Sequence, residues 1–213
     1  MDLTSPLHSI APGLHSAVLE VLARTESGLS ASQIARLSSH GTRAGQLPVL
    51  KRLVEHGLVR AEPANTGFLY RLNREHVLAP AILAAASVRR EILDRLAAAV
   101  QRLLPTPVHA SLFGSFARGA AGAHSDLDLL LVTDDNLDIC SPAWTSQIQG
   151  LEERVLAWTG NRLETLTFTR TRLSEVVAQR EPIVSSWLAD SLTLHGPSIE
   201  ALMADSATKT ARR

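Results

Sequence analysis

The sequence predicts an α+β protein in two parts joined by a long helix. Three observations predict it. The first 75 residues read as helix, helix, turn, helix and then two short strands. Residues 76–104 form an alanine-rich stretch with helical spacing. Beyond Pro105 and Pro107, short apolar runs alternate with longer helical patterns, which predicts a small mixed sheet with flanking helices. The expected boundaries are therefore 1–75, a linker helix over 76–104, a second domain over 105–200 and a disordered tail over 201–213.

The elements of the first part follow from local signals. Leu14, Val18, Leu19 and Leu22 fall near helical spacing and predict a helix over Leu14–Arg24. Ser30 followed by Gln33 is a capping-box pattern and starts a short helix over Ala31–Leu37. SSHGT then reads as a turn. Leu47, Leu50, Leu53 and Val54 share one helical face, and Gly57 ends it. Pro48 is tolerated only in a first helical turn, so this helix is expected to begin near Leu47, leaving Arg43 to Gln46 in a loop. Leu58–Glu62 and Phe68–Leu72 read as strands around the turn PANTG.

The segment LSASQIARLSSHGTRAGQLPVLKRLVEHGLVRAEPANTGFLYRLN resembles the winged helix-turn-helix family over about 45 residues. KRLVEHGLV matches the usual end of the third helix and start of the wing. The resemblance implies contact with DNA through Arg43, Gln46, Lys51, Arg52 and Arg71. Seven basic and two acidic residues between Arg36 and Arg74 suit a phosphate backbone. The bland reading of the same module is protein contact or dimerisation. In the linker, Leu93, Leu96, Val100 and Leu103 form a stripe that packs on a neighbour in this chain or in a second copy.

The second part carries the chemistry. Val108–Phe113 reads as a strand, Gly114 and Ser115 as a tight turn into a short helix, and Leu127–Val132 as a central, nearly all-apolar strand. Asp126 and Asp128 flank Leu127, and residues two apart on a strand point the same way. Two adjacent carboxylates are costly unless a cation lies between them or one is protonated. Paired carboxylates are hard oxygen ligands of the kind Mg²⁺ prefers. Glycine lets a phosphate approach the backbone, Ser115 adds a hydroxyl, and Arg118 can contact phosphate or pin the loop. Such a set suits nucleotidyl transfer.

GSFARG followed by SDLD resembles the signature of the minimal nucleotidyltransferases of the DNA polymerase β superfamily. Gly114, Ser115, Ala117, Arg118, Gly119, Ser125, Asp126 and Asp128 stand in register with it, and the likeness covers about Val108 to Pro197. It implies a polymerase β-like fold and a two-Mg²⁺ site. It also implies a nucleoside triphosphate substrate, ATP foremost, and a third carboxylate on a later strand. Pro142–Thr159 reads as a helix and RLETLTFT as that strand, making Glu164 the candidate where many members carry aspartate. The resemblance implies that it holds metal or takes the acceptor's proton. Arg172–Arg180, Pro182–Asp190 and LTLHG resemble the closing helices and final strand. Asp134, Asp135 and Asp138 are expected in a solvated turn, and Trp144, Trp158 and Trp187 in the core.

Composition bounds the rest. The chain has 213 residues, 21 basic, 21 acidic and a single cysteine, Cys140, which excludes intrachain disulfides and cysteine zinc clusters. The longest apolar run, about Leu78 to Val88, falls short of the roughly 20 residues that span a bilayer. The start, MDLTSPLHSIAPG, has no basic n-region or apolar signal core. The expectation is a cytoplasmic protein with no membrane partner. Its acceptor is left open among protein, RNA and small molecule. The alternative is a DNA-binding regulator or antitoxin whose second domain senses nucleotide or modifies a partner toxin.

Overall fold

In the computed structural model, all residues but Ser39 and 211–213 are described, and 205–210 by backbone alone. The chain divides into two compact units, Asp2–Arg90 and Glu91–Arg213, with Met1 grouped in the second.

The first unit opens with α1 (Pro6–Ile10), which sequence patterning misses, and α2 (Leu14–Ala23). A two-residue strand β1 (Leu29–Ser30) leads into α3 (Ala31–Leu37). Ser30 accepts from the Gln33 amide while the Gln33 side chain accepts from the Ser30 amide, so the capping box is formed. The third long helix, α4 (Arg43–Glu55), starts before Pro48 rather than at Leu47. Thr42 caps it by accepting from the Gly45 amide, and the Gln46 amide donates to the Thr42 carbonyl. The proline therefore removes one internal hydrogen bond without preventing the helix. Two strands, β2 (Val59–Ala64) and β3 (Gly67–Leu72), pair antiparallel, and β1 adds to β3, giving the order β1-β3-β2. Leu22, Ile34, Leu50, Leu53 and Val59 lie in its core.

The predicted linker helix is two helices, α5 (Ala79–Ala86) and α6 (Val88–Val100). Ser87 breaks them: its hydroxyl donates to the Ala84 carbonyl at 2.9 Å, competing with helix continuation.

In the second unit, β4 (His109–Phe113) leads into the single turn α7 (Gly114–Ala117), and then into β5 (Leu127–Thr133). A crossover helix, α8 (Pro142–Thr159), precedes β6 (Leu163–Thr169). After it come α9 (Arg170–Ala178), α10 (Pro182–Asp190), β7 (Leu192–His195) and α11 (Ile199–Thr210). The sheet order is β6-β5-β4-β7; β5 and β6 are parallel and the other pairs antiparallel. Ser141 caps α8, and left-handed Gly160 ends it. One core holds Phe113, Leu130, Val132, Leu173, Val176 and Trp187. The tail expected from residue 201 is instead helical, with Ile199, Leu202 and Met203 buried. The last three residues of the expected tail lie outside the described residues.

Candidate functional site

Strand register assembles the site. Apart from Asp128 and the terminal Thr133, β5 is apolar, so the strand is driven into the sheet interior and carries one carboxylate with it. Asp128 pairs with Phe113 on β4 and with Glu164 on β6. Three neighbouring strands thus present their site residues at one level. Gly114 follows Phe113 with φ +70°, a conformation that favours glycine, and its α-carbon faces the Asp128 carboxylate so closely that a Cβ would collide with Oδ2. Asp126 lies one residue before β5 and, like Glu164, is exposed.

Asp128 is half-buried, and its pKa is raised above the usual carboxylate value. Burial is the main cause, the Asp126 and Glu164 charges add to it, and Arg118 opposes it. The donors fit a hard divalent cation: oxygen only, with like charges that a cation would relieve. Among the described residues no three Asp, Glu, His or Cys side chains stand at ligating separation.

Arg118 sends Nη1 to Asp190 Oδ2 at 2.5 Å, pinning α7 to the end of α10, so its guanidinium is engaged on protein. The Ser115 hydroxyl has no partner among the described residues. Ser125 Oγ accepts from the Gly122 amide at 3.0 Å and shapes the loop before Asp126.

Sequence reasoning misses Asn161. It is 3% exposed, and its Nδ2 donates to the carbonyls of Gly122, Ala123 and Ser125 at 3.4, 3.3 and 2.9 Å. Leu127 N donates to Arg162 O at 2.9 Å beside it. One buried amide thus ties the Asp126 loop to the start of β6. The available signal was a polar residue directly after a helix-ending glycine.

Other expectations are met in part. Asp134, Asp135 and Asp138 lie exposed in the turn after β5 as expected, and two of them also dock the start of α9: Asp134 pairs with Arg170 Nε at 2.7 Å, and Asp135 accepts from the Thr171 amide at 2.8 Å. Trp144 and Trp187 are core residues, but Trp158 is only half-buried and lines a surface groove.

In the first unit, Arg43, Lys51 and Arg52 are exposed along α4 without an acidic partner among the described residues. Gln46 is not available for DNA: it is fully buried, and its Nε2 donates to the His40 carbonyl at 2.9 Å. Its spacing from Leu50 and Leu53 marks the core face. Arg71 stands 3.6 Å from Glu62 on the hairpin.

Residues 93–183 match the family described as nucleotidyltransferase domain, so this stretch carries a nucleotidyltransferase domain. No curated protein matches the chain. Among solved structures, a toxin–antitoxin with AMP-PNP is similar at 14% identity. It covers 56% of this chain and 87% of that one, with a TM-score of 0.37. A mutant of the toxin–antitoxin MntA-HpeT is similar at 12% identity over the same shares, with a TM-score of 0.36. TrmBL2, an archaeal chromatin protein, is similar at 14% identity over 84% of this chain and 73% of that one, with a TM-score of 0.29. Likeness at this level bears on neither substrate nor partner. No helix among the described residues is long and apolar enough to cross a membrane.

Proposed function

We propose that the second unit is an Mg²⁺-dependent nucleotidyltransferase of polymerase β type. It moves a nucleoside monophosphate from a nucleoside triphosphate, ATP foremost, to an acceptor hydroxyl and releases pyrophosphate. The observation that carries this reading is the register that sets Gly114, Asp128 and Glu164 on three neighbouring chain segments within the matched domain.

Asp126, Asp128 and Glu164 would hold Mg²⁺, two ions in the full site. Bound there, the metal supplies Lewis-acid polarisation and charge neutralisation at the phosphates. The chain's own groups do the rest. Gly114 lacks the side chain that would bar a phosphate from the backbone. Ser115 has a free hydroxyl to donate to phosphate oxygen. Glu164 is exposed and accepts the proton of the attacking hydroxyl. Arg118, anchored by Asp190, holds α7 in place and lends positive potential at Asp128. Asn161 positions the loop that carries Asp126.

The first unit is assigned as a winged helix-turn-helix, with α2, α3 and α4 as its helices and β2–β3 as its wing. Arg43, Lys51, Arg52 and Arg71 face DNA phosphates in this reading. A second reading, a DNA-binding regulator whose second unit modifies a partner protein, is favoured by the charge of the first unit. Residues 1–90 hold 10 basic and 6 acidic side chains.

The test is label transfer with Mg²⁺, each of four α-labelled ribonucleoside triphosphates, and separate protein and RNA fractions. Wild type should label an acceptor, and Asp128→Ala should lose transfer by about 10³-fold or more, since metal stabilisation is worth several kcal/mol. Equal transfer by both proteins would remove Asp128 from the chemistry. No transfer into any fraction would favour a regulator whose second unit senses nucleotide instead of transferring it.

A further inference from the structure

Within the second unit, α6 and α8 leave a groove of about 380 Å³ between them. Its charged lining is three arginines, Arg95, Arg102 and Arg154, with no acidic residue. This runs against the local composition, because residues 91–213 hold 15 acidic and 11 basic side chains. Arg95 lies over the Trp158 ring, 5.8 Å from its centroid, and its Nε reaches Glu91 at 2.6 Å. Arg102 and Arg154 have no acidic partner among the described residues. Between the arginines the lining is small: Ala98, Ala99 and Gly150, and a Cβ added at Gly150 would meet nothing within 4 Å.

The groove is separate from the carboxylates. Asp128 and Glu164 share their sheet face with Leu130, Val132 and Phe168, which pack on α9 and α10, while α8 covers the other face. What joins the two places is the last turn of α8. Thr159, next to Trp158, sends Oγ1 to the Val155 carbonyl at 2.8 Å, and the same oxygen accepts from the Asn161 amide at 3.0 Å. Asn161 in turn gathers the Gly122, Ala123 and Ser125 carbonyls of the loop before Asp126. That turn therefore carries groove residues on its side and the tether of the Asp126 loop at its end.

We propose that this groove is an effector site for the oligophosphate chain of a small ligand, and that its occupation stiffens the Asp126 loop through the last turn of α8. Guanidinium groups match phosphate oxygens in geometry and keep their charge at physiological pH. Arg95 and Arg102 stand seven residues apart on one face of α6, about 10 Å along the helix. Arg154 adds a third cation from α8, so a compact, multiply charged anion complements the span. The volume lies in the range of small-ligand sites, roughly 300–1,000 Å³. Gln147 ties the two segments at the Arg102 end: it accepts from the Leu104 amide and donates to the Leu104 carbonyl, both at 2.8 Å. A polynucleotide or a partner helix would need the groove to run on past that tie. The binding site stands without the transferase reading; only its consequence for catalysis rests on that reading.

The experiment is calorimetric titration of the full chain with inorganic triphosphate in EDTA, followed by hydrogen exchange of residues 120–126 with and without the anion. Metal-free ATP is titrated in parallel. Equal affinity assigns recognition to the phosphate chain alone, tighter ATP binding assigns it to a nucleotide, and both keep the site. The double variant Arg102→Gln, Arg154→Gln should bind on the order of tenfold more weakly, having lost two charge-assisted contacts. Gly150→Leu should lose binding too, although every charge remains, because its side chain fills the groove. Leucine favours a helix over glycine, so this variant keeps its fold. Triphosphate should slow amide exchange at 120–126 in wild type and in neither variant. Four outcomes overturn the site: no binding, undiminished binding by Gly150→Leu, loss only in Ser115→Ala, or binding of an RNA oligonucleotide or polyglutamate with none of triphosphate. Groove-dependent binding with unchanged exchange at 120–126 would overturn the effector role. No arm reads label transfer, so failure here and failure of the transferase reading are separate results.

Discussion

The two units place their candidate polar groups by different means. In the second, Asp128 and Glu164 are set by sheet register and Gly114 by a left-handed turn, so the backbone alone decides where they meet. In the first, Arg43, Lys51 and Arg52 are exposed on one helix, α4, as long side chains with many rotamers. The first arrangement suits a reaction, where a misplacement of about 1 Å can cost about 10²-fold in rate. The second suits a phosphate surface, where position is tolerant and charge dominates. Backbone changes should therefore be severe in the second unit and mild in the first.

The sharpest way to break this contrast is Gly114→Ala. Alanine at φ +70° costs about 1–2 kcal/mol, and its Cβ must displace the Asp128 carboxylate. Label transfer should fall about 10²-fold or more, and the second unit should unfold at lower denaturant. Unchanged transfer would show that the carboxylate's place does not depend on the backbone beside it. Pro48→Ala is the counterpart in the first unit. Pro48 is exposed within α4 and lacks the amide that would bond to the Ala44 carbonyl. Restoring that bond should stabilise the first unit by about 1–2 kcal/mol, after allowing for the looser unfolded chain. Transfer should be unaltered. Chemical denaturation followed by circular dichroism reads the shift, and a lower midpoint would show that the proline is required by the native helix.

How far the structure could be read in advance follows the same division between local and distant causes. Pro142–Thr159 and Pro182–Asp190 match their predicted spans because prolines and caps are local signals. The capping box at Ser30 is equally local. That Asp126 and Asp128 stand at the start of an apolar strand needs no more than the pattern around them. That Asp128 faces Glu164 is a matter of register between strands, which no neighbouring residue encodes. The same holds for Asp190 beneath Arg118 and for the three carbonyls gathered by Asn161. The early start of α4 escapes a reading of Pro48 alone because the Thr42 cap ahead of it sets the first turn. Motif position points Gln46 to DNA, but its spacing from Leu50 and Leu53 puts it on the buried face.

The smallest expected effect comes from a buried group that the chemistry does not use. His109 is fully buried on β4; its Nδ1 lies 2.7 Å from the Pro197 carbonyl and its Nε2 2.9 Å from Ser111 Oγ. Burial holds its pKa below the ordinary histidine value; His195 adds to this, while the bond to Pro197 and the Glu200 charge oppose it. The native imidazole is therefore neutral at a pH where the unfolded chain, with a pKa of about 6.5, already binds a proton. Stability from this group is complete above about pH 6.5 and is lost as pH falls from there through the lowered native value, by at most about 1.4 kcal/mol per pH unit. Melting the second unit between about pH 7.5 and pH 5.5 should show wild type losing more than His109→Asn, whose amide can still donate to the Pro197 carbonyl. Parallel losses in the two proteins would assign the acid sensitivity to other groups. Because Gly114 follows directly on the other end of β4, a drop in transfer that tracks the melting shift would mean that the strand relays its state to the site.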